Sequence, residues 1–202
     1  MTTIEKLIQM FGDFPGIGPR QAKRFVYFLL GKNQEYIDEF ISRLRGVKLE
    51  MSTCSACFRY FIKGRGSETK CPICTDAGRD KTKLMLIARD IDMENIERTG
   101  SYSGYYFVLG GTVPILEKNP EKRIRVKELK SKLKKEGNLQ EIIIAMNANP
   151  EGDNTEDYLR QLLKEIIPDT IVVSTLGRGL ATGVELEYSD AETLKSALKN
   201  RS

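Results

Sequence analysis

Two Cys-x-x-Cys pairs constrain this chain more strongly than any other feature of its sequence. They comprise Cys54 with Cys57 and Cys71 with Cys74, and 13 residues separate the two pairs. Each pair can present two thiolates to a metal, and two pairs complete a tetrahedron around Zn²⁺. Because the chain contains no histidine, we predict one zinc ion held by cysteines alone. Four protein ligands leave no open position for a reactive water, so this zinc is predicted to be structural.

The segment around the cysteines, residues 53–80, has several glycines and little apolar periodicity. Such a segment buries too little apolar surface to fold alone, so zinc is expected to supply its folding free energy. A redox dithiol is the rival interpretation, but redox chemistry needs only one Cys-x-x-Cys pair and leaves the second unexplained. The missing histidine also excludes Ser-His-Asp and Cys-His catalytic mechanisms.

The chain as a whole has the pattern of a cytoplasmic protein. No apolar run approaches the roughly 18 residues that a membrane-spanning helix needs. The N-terminal residues do not resemble a signal peptide. In the cytosol, four cysteines are more typical of metal ligands than of disulfides.

A glycine turn lies between two predicted helices near the N-terminus. Apolar residues at helical spacing predict a short first helix, and Pro19 is well placed to begin the second. The turn between them contains Gly16 and Gly18, which can adopt positive φ and leave backbone N–H groups unobstructed. These groups would point at an anion near the start of the second helix, where the helix dipole also favours negative charge.

Basic side chains follow this turn directly. Arg20, Lys23 and Arg24 lie on the first turns of the predicted helix, and residues 15–32 contain no acid. The arrangement predicts a helix-hairpin-helix that holds DNA phosphates without reading bases, so binding should be independent of sequence and sensitive to salt. The alternative is a tight turn between two core helices with solvated charges beside it. The basic helix start favours DNA.

The rest of the chain predicts helices and strands in alternation. A third N-terminal helix from about Gln34 is expected to bury Tyr36, Ile37, Phe40, Ile41 and Leu44. Beyond the cysteines, helical patterns alternate with apolar runs, and this alternation predicts a parallel α/β sheet. The predicted strands are 84–87, 105–109, 142–146 and 171–173, and the helices lie near 91–97, 125–136 and 155–167.

The order of these motifs closely resembles the RecR family of recombination mediators. The resemblance rests on FPGIGP, the four cysteines, TGSYSGYYFVLGG, NANPEGDNTEDYL and GRGLATGVELEYSDAETL, and it covers essentially the whole chain. It implies a toprim domain, the fold shared with topoisomerases and primases, followed by a segment similar to a Walker B motif. It also implies a homo-tetrameric ring that binds RecO, and in some species RecF, and helps load RecA onto gapped DNA.

The resemblance and the patterns together predict four modules. They are a helix-hairpin-helix module at 1–52, a four-cysteine zinc finger at 53–80, a toprim-like domain at 81–176, and a Walker B-like segment with a C-terminal helix at 177–202. The predicted class is α+β, with a mostly parallel sheet in the toprim-like domain.

Catalytic toprim domains carry carboxylates that this chain lacks. Ala88 stands where the family pattern places a glutamate after the first strand, and Asn147 and Asn149 stand in place of the paired aspartates. Asparagine adds no negative charge for Mg²⁺ and cannot act as a base. Phe107 also replaces the histidine that the family usually has before its VLGG. The sequence therefore predicts a protein that is not an enzyme.

Glu151 and Asp153 match the acidic stretch through which the family contacts RecO. The alternative is a helix N-terminus that favours acidic residues because of its dipole. Both interpretations remain open, since both can hold at once.

The predicted function is a cytoplasmic, nucleoid-associated mediator that binds DNA as an oligomeric clamp and acts with RecO to load RecA. Two alternatives are a metal-dependent toprim nuclease or nucleotidyl transferase, and a zinc-containing DNA-binding monomer that forms no ring.

Overall fold

The chain folds into two compact units, Met1–Met51 and Ser52–Ser202. Their structure is given by a computed structural model that describes residues 1–64, 66, 68–177, 179–180, 183, 185–189 and 191–199. None of the described helices has both the length and the apolar character that crossing a bilayer requires.

The first unit consists of three helices. Helix α1 spans Thr3–Gly12, α2 spans Pro19–Leu30 and α3 spans Gln34–Glu50. Helix α1 begins with a capping box, in which the Thr2 hydroxyl accepts the Glu5 N–H and the Glu5 carboxylate accepts the Thr2 N–H. This reciprocal pairing satisfies two of the N–H groups that a helix start leaves without partners.

The predicted burial of the α3 side chains is wrong for this chain alone. Tyr36, Phe40, Ile41 and Leu44 are all exposed, with Leu44 at 56%, and Ile37 is only half-buried. Within the first unit, fully buried side chains occur only on α2, at Ala22 and Val26. Helical spacing predicted which residues share a face, but a unit of 51 residues has too few elements to cover that face.

The second unit begins with the cysteine segment. A short hairpin pairs β1, Met51–Thr53, with β2, Tyr60–Ile62, and a single helical turn, α4, spans Pro72–Thr75. The first cysteine pair lies in the connection between β1 and β2, and the second pair lies at the start of α4. The sequence did not indicate these short elements, because each is too short to show a period.

A four-stranded sheet follows, with strand order β4-β3-β5-β6 and every neighbouring pair parallel. The predicted parallel α/β arrangement is thereby confirmed. The strands are β3 at Asp80–Ile87, β4 at Gly104–Val108, β5 at Glu141–Ala145 and β6 at Val172–Thr175, and the helices are α5 at Asp90–Thr99, α6 at Val126–Leu133, α7 at Pro150–Ile166 and α8 at Ala191–Lys199.

The core lies on both faces of this sheet. Along β3, Leu84 and Leu86 belong to a cluster with the buried side chains of α6 and α7. Met85 and Ile87 face the other way and pack with Met93 of α5. A strand covered on both faces has no polar face, which explains why β3 ends in an uninterrupted apolar run.

Candidate zinc centre and nucleic-acid interface

The four cysteines come together as the sequence predicted. Their Sγ atoms all lie within 4.8 Å of one another. Cys54, Cys57 and Cys71 are fully buried, and Cys74 is partly buried. The Sγ atoms of Cys57 and Cys71 are 3.7 Å apart, far beyond the roughly 2.05 Å of a disulfide. The cluster is therefore a set of free thiols.

The dimensions and the donor set fit zinc. A tetrahedron with Zn–S bonds of about 2.3 Å places its sulfur atoms about 3.8 Å apart, and the Cys57–Cys71 separation matches that edge. Hydrogen bonds from Cys57, Cys71 and Cys74 hold the pKa of Cys54 below the ordinary thiol range, and the Cys71 N–H donates to the Cys54 Sγ over 3.3 Å. These contacts favour the thiolate of Cys54, which is the form that binds a metal. The same close packing of sulfur atoms raises the pKa of Cys57 and of Cys74, because neighbouring thiolates disfavour further negative charge when no cation lies between them.

The first cysteine loop is anchored to the parallel sheet. The Val108 N–H of β4 donates to the Cys57 carbonyl over 2.8 Å. The Phe58 ring packs on the Phe107 ring, with centroids 5.3 Å apart. The Arg125 guanidinium lies over the Phe58 ring, 5.7 Å from its centroid. Phe107, where the family pattern has histidine, is thus a packing residue beneath the cysteine loop.

The turn of the predicted hairpin has a defined geometry. The Ile17 N–H donates to the Phe14 carbonyl over 3.0 Å, with Pro15 and Gly16 at the two central positions. Gly16 has φ of +77°, so the turn has the proline and the positive-φ glycine of a type II turn. A side chain at Gly16 would be strained, which is the physical reason for glycine here.

The start of α2 presents donors and positive charge. The N–H groups of Gly16, Gly18 and Arg20 have no hydrogen-bond partner among the described residues. Gly18 is the N-cap residue and supplies no side chain to cap the helix. Arg20, Lys23 and Arg24 are exposed, and no described carboxylate pairs with any of them. The structure brings these five residues together on one short segment, and their role in DNA binding remains a prediction.

The positions that carry toprim carboxylates have structural roles here. Ala88 is buried at the end of β3, where its carbonyl accepts the Gly110 N–H. Asn149 is the N-cap of α7 and accepts the Gly152 N–H over 2.8 Å. The Asn147 carbonyl accepts the Asn149 N–H. Within the described residues, the four cysteines are the only cluster with the composition and spacing of a metal site.

The first turns of α7 include close contacts that the sequence did not reveal. A Cβ at Gly152 would overlap the Asn147 carbonyl oxygen and lie 2.9 Å from its carbonyl carbon. Thr155 is fully buried, accepts the Val113 N–H over 2.8 Å and donates to the Glu151 carbonyl over 2.6 Å. In the sequence, the only indication was a glycine, Gly152, near a predicted helix start. Its position there does not show which backbone group the glycine approaches.

Glu151 and Asp153 lie in the first turn of α7. This position is expected both for a RecO-contacting surface and for acidic residues that favour a helix N-terminus. The Glu151 carboxylate is exposed and accepts a hydrogen bond from the Thr112 hydroxyl over 2.9 Å. Asp153 is half-buried. Partner binding by Glu151 and Asp153 stays a prediction.

The predicted Walker B-like segment at 177–202 is described only in part. Gly177 and Gly179 are described, whereas Arg178, Ala181 and Thr182 lie outside the described residues. The helix predicted at the C-terminus is present as α8.

Three protein families match the chain, in the order that the motifs predicted. The match to the family RecR, helix-hairpin-helix covers residues 4–47, the match to Toprim domain covers 82–175, and the match to RecR, C-terminal covers 179–202. Together these matches account for the first helical unit, the parallel sheet and the C-terminal segment.

Curated relatives match over almost the full length. Proteins from Herpetosiphon aurantiacus, Dehalococcoides mccartyi and Limosilactobacillus fermentum are 38%, 36% and 34% identical to this chain. The alignments cover 98% of the chain and 93%, 93% and 96% of the three relatives. Each of these proteins is named Recombination protein RecR.

Proposed function

Because the chain belongs to the RecR family, we propose that it is a DNA-recombination and repair mediator that binds the DNA backbone through its N-terminal hairpin. The observation that carries the proposal is the hairpin itself, with Gly16 at φ of +77° and unpaired N–H groups at the start of α2. Three exposed cations follow within six residues of Gly18.

Each part of the hairpin has a chemical task in this proposal. The unpaired N–H groups of Gly16, Gly18 and Arg20 donate to phosphate oxygens, and the α2 dipole adds to the attraction. Arg20 and Arg24 bind flanking phosphates, and a guanidinium can form two parallel hydrogen bonds to one phosphate. No base edge is read, so affinity should not depend on DNA sequence.

The four cysteines would hold one structural zinc ion. Bound zinc supplies folding free energy and no reactive water, because all four coordination positions belong to the protein. We also propose that the chain is not an enzyme, since Ala88, Asn147 and Asn149 provide neither the charge for Mg²⁺ nor a general base.

The mediator role requires assembly and partners. We propose a homo-tetrameric ring that encircles DNA, binds RecO through the Glu151 and Asp153 surface, and helps load RecA onto gapped DNA. An assembly explains how a chain with a net charge of only +4 holds DNA, because each added hairpin raises avidity. The RecO contact is checked by Glu151→Lys, which should lower RecO affinity and leave DNA affinity unchanged.

The proposed role of the hairpin in DNA binding is tested by the double variant Arg20→Ala with Arg24→Ala. We expect DNA affinity to fall by at least about tenfold, since a hydrogen bond to a charged group contributes about 1.5 kcal/mol or more. The slope of log K against log salt should become shallower by about 1.8, because roughly 0.9 counterions are released per phosphate contact. Fluorescence anisotropy with two unrelated duplexes at several salt concentrations measures both quantities.

The matched control is Lys118→Ala with Lys122→Ala, which removes the same charge from exposed positions in the second unit. It should leave affinity nearly unchanged. Equal loss in both variants would mean that net charge alone governs binding, and the proposed role of the hairpin would then be wrong.

A further inference from the structure

The most basic part of the chain lies outside the hairpin. Residues 118–136 contain nine lysines or arginines and three glutamates, a net charge of +6. The entire chain carries only +4, so the other residues together are net negative. A local excess of this size calls for an explanation beyond solubility.

Helix α6 fixes the direction of these cations. Val126 and Leu129 are fully buried against the sheet, so the helix cannot rotate without exposing its apolar face. Lys127 is exposed on α6, and Lys134 and Lys135 are exposed directly after its last residue. None of the three forms an ion pair with a described carboxylate. Their charge is therefore directed to solvent.

A groove of about 500 Å³ separates α6 from the first cysteine loop. Lys127, Ser131 and Lys135 line one wall at intervals of four residues, and Ser55 and Ala56 line the other. Lys127 and Ser131 lie about one turn apart on α6, roughly 6 Å along its axis, and Lys135 lies in the turn that follows the helix. The groove thus has ammonium groups at both ends of one wall and a hydroxyl group on each wall.

Three more charged residues line this groove and together carry a charge of −1. They are Glu128 and Lys132 of α6 and Glu136, which follows the helix. The Lys132 ammonium bonds to the Glu136 carboxylate over 2.9 Å, which leaves the charge of Glu128 against the charges of Lys127 and Lys135. The net charge of the groove is positive.

Both walls are held by the same strand. On the loop side, the Cys57 carbonyl accepts the Val108 N–H of β4. On the helix side, Arg125 immediately precedes α6, donates to the Val108 carbonyl over 2.8 Å and lies over the Phe58 ring. The Arg125 guanidinium also packs against Gly110, where a Cβ would lie 3.0 Å from its Nη1. The groove is therefore preorganised before any ligand arrives.

We propose that this groove is a second binding site for the sugar-phosphate backbone of a nucleic-acid strand. Consecutive phosphates of one strand rise about 3.4 Å along a duplex, so the roughly 6 Å between Lys127 and Ser131 along α6 corresponds to about two of them. Lys127 and Lys135 bind the outer phosphates, and the Ser131 and Ser55 hydroxyls donate to oxygens between them. The inference rests on the proposed DNA-binding function and deepens it by adding a contact in the second unit.

Lysine footprinting tests the contact in the unmodified protein. The intact chain is treated with an amine-acylating reagent with and without a DNA duplex, and modified lysines are quantified by mass spectrometry. We expect DNA to lower acylation of Lys127 and Lys135 at least several-fold and to leave Lys118 and Lys122 unchanged. Protection of the hairpin residue Lys23 reports the proposed function separately.

A paired substitution measures the contribution of the groove. Lys127→Ala with Lys135→Ala should make the salt slope of DNA binding shallower by about 1.8, or 0.9 for each lost phosphate contact. Lys118→Ala with Lys122→Ala removes equal charge nearby and should change the slope little.

The outcomes separate this inference from the function on which it rests. Protection of Lys23 without protection of Lys127 and Lys135 would overturn the groove and leave the hairpin intact. An unchanged salt slope in the groove variant would also overturn it, as would binding of an acidic peptide there in place of DNA. If the unmodified chain binds no DNA, the proposed function fails as well.

Discussion

At the scale of single residues, the Asn147 carbonyl restricts position 152 to glycine, because a Cβ at Gly152 would overlap the carbonyl oxygen. A helix start does not predict this close approach, so the sequence did not reveal it. The four cysteines were identifiable from the sequence because two pairs with short spacing have few other uses in a chain without histidine. Gly16 was identifiable because it follows proline in a turn.

Gly152→Ala should destabilise the second unit by about 1–3 kcal/mol, because overpacking against a backbone carbonyl forces the chain to move. For a unit of this size the midpoint of thermal unfolding should fall by roughly 2–4 °C per kcal/mol. Circular dichroism during heating measures the change.

The matched variant is Gly137→Ala, since a Cβ there meets nothing within 4 Å and φ is not in the left-handed region. It should leave the midpoint unchanged or slightly higher. If both variants unfold at the temperature of the unmodified chain, the close contact at Gly152 is not a constraint.

At the scale of elements, periodicity predicted the parallel strands and most helices but not which faces are covered. Strands β3 and β5 were predicted because strands buried on both faces are apolar throughout. Helix α3 was also predicted, yet its apolar residues are exposed, because a helical period does not show what packs on a face. The hairpin β1–β2 was missed since three-residue strands have no measurable pattern.

Zinc should stabilise the cysteine segment and, through it, the edge of the sheet. Cys71→Ser is expected to reduce bound zinc from about one per chain to none, and the amide protons of residues 52–80 should exchange faster. The Val108 N–H should also lose protection, because its acceptor is the Cys57 carbonyl. Metal analysis and hydrogen exchange read by mass spectrometry measure these effects.

Thr53→Ser provides the control, since it changes an exposed side chain of the same segment without touching a metal ligand. It should keep zinc and exchange rates unchanged. Full protection of the cysteine segment in metal-free Cys71→Ser protein would contradict a structural role for zinc.

At the scale of the whole molecule, the order of motifs identified the family, and the family matches confirm it. The sequence could not supply the groove beside α6, because its two walls are separated by about 70 residues along the chain and are brought together by β4 and by the Arg125–Phe58 contact. The proposed tetramer rests on the family resemblance and not on the pattern of residues, since recognition between copies depends on surfaces that a single chain does not pair.

Native mass spectrometry of the intact chain, alone and with a DNA duplex, tests the proposed DNA clamp most directly. The account predicts a species of four chains, each carrying one zinc ion, that takes up one duplex whatever its sequence. Dilution should not release DNA from the tetramer before the tetramer itself dissociates. A monomer that binds DNA equally well, or a tetramer that takes up no DNA, would contradict the proposed clamp.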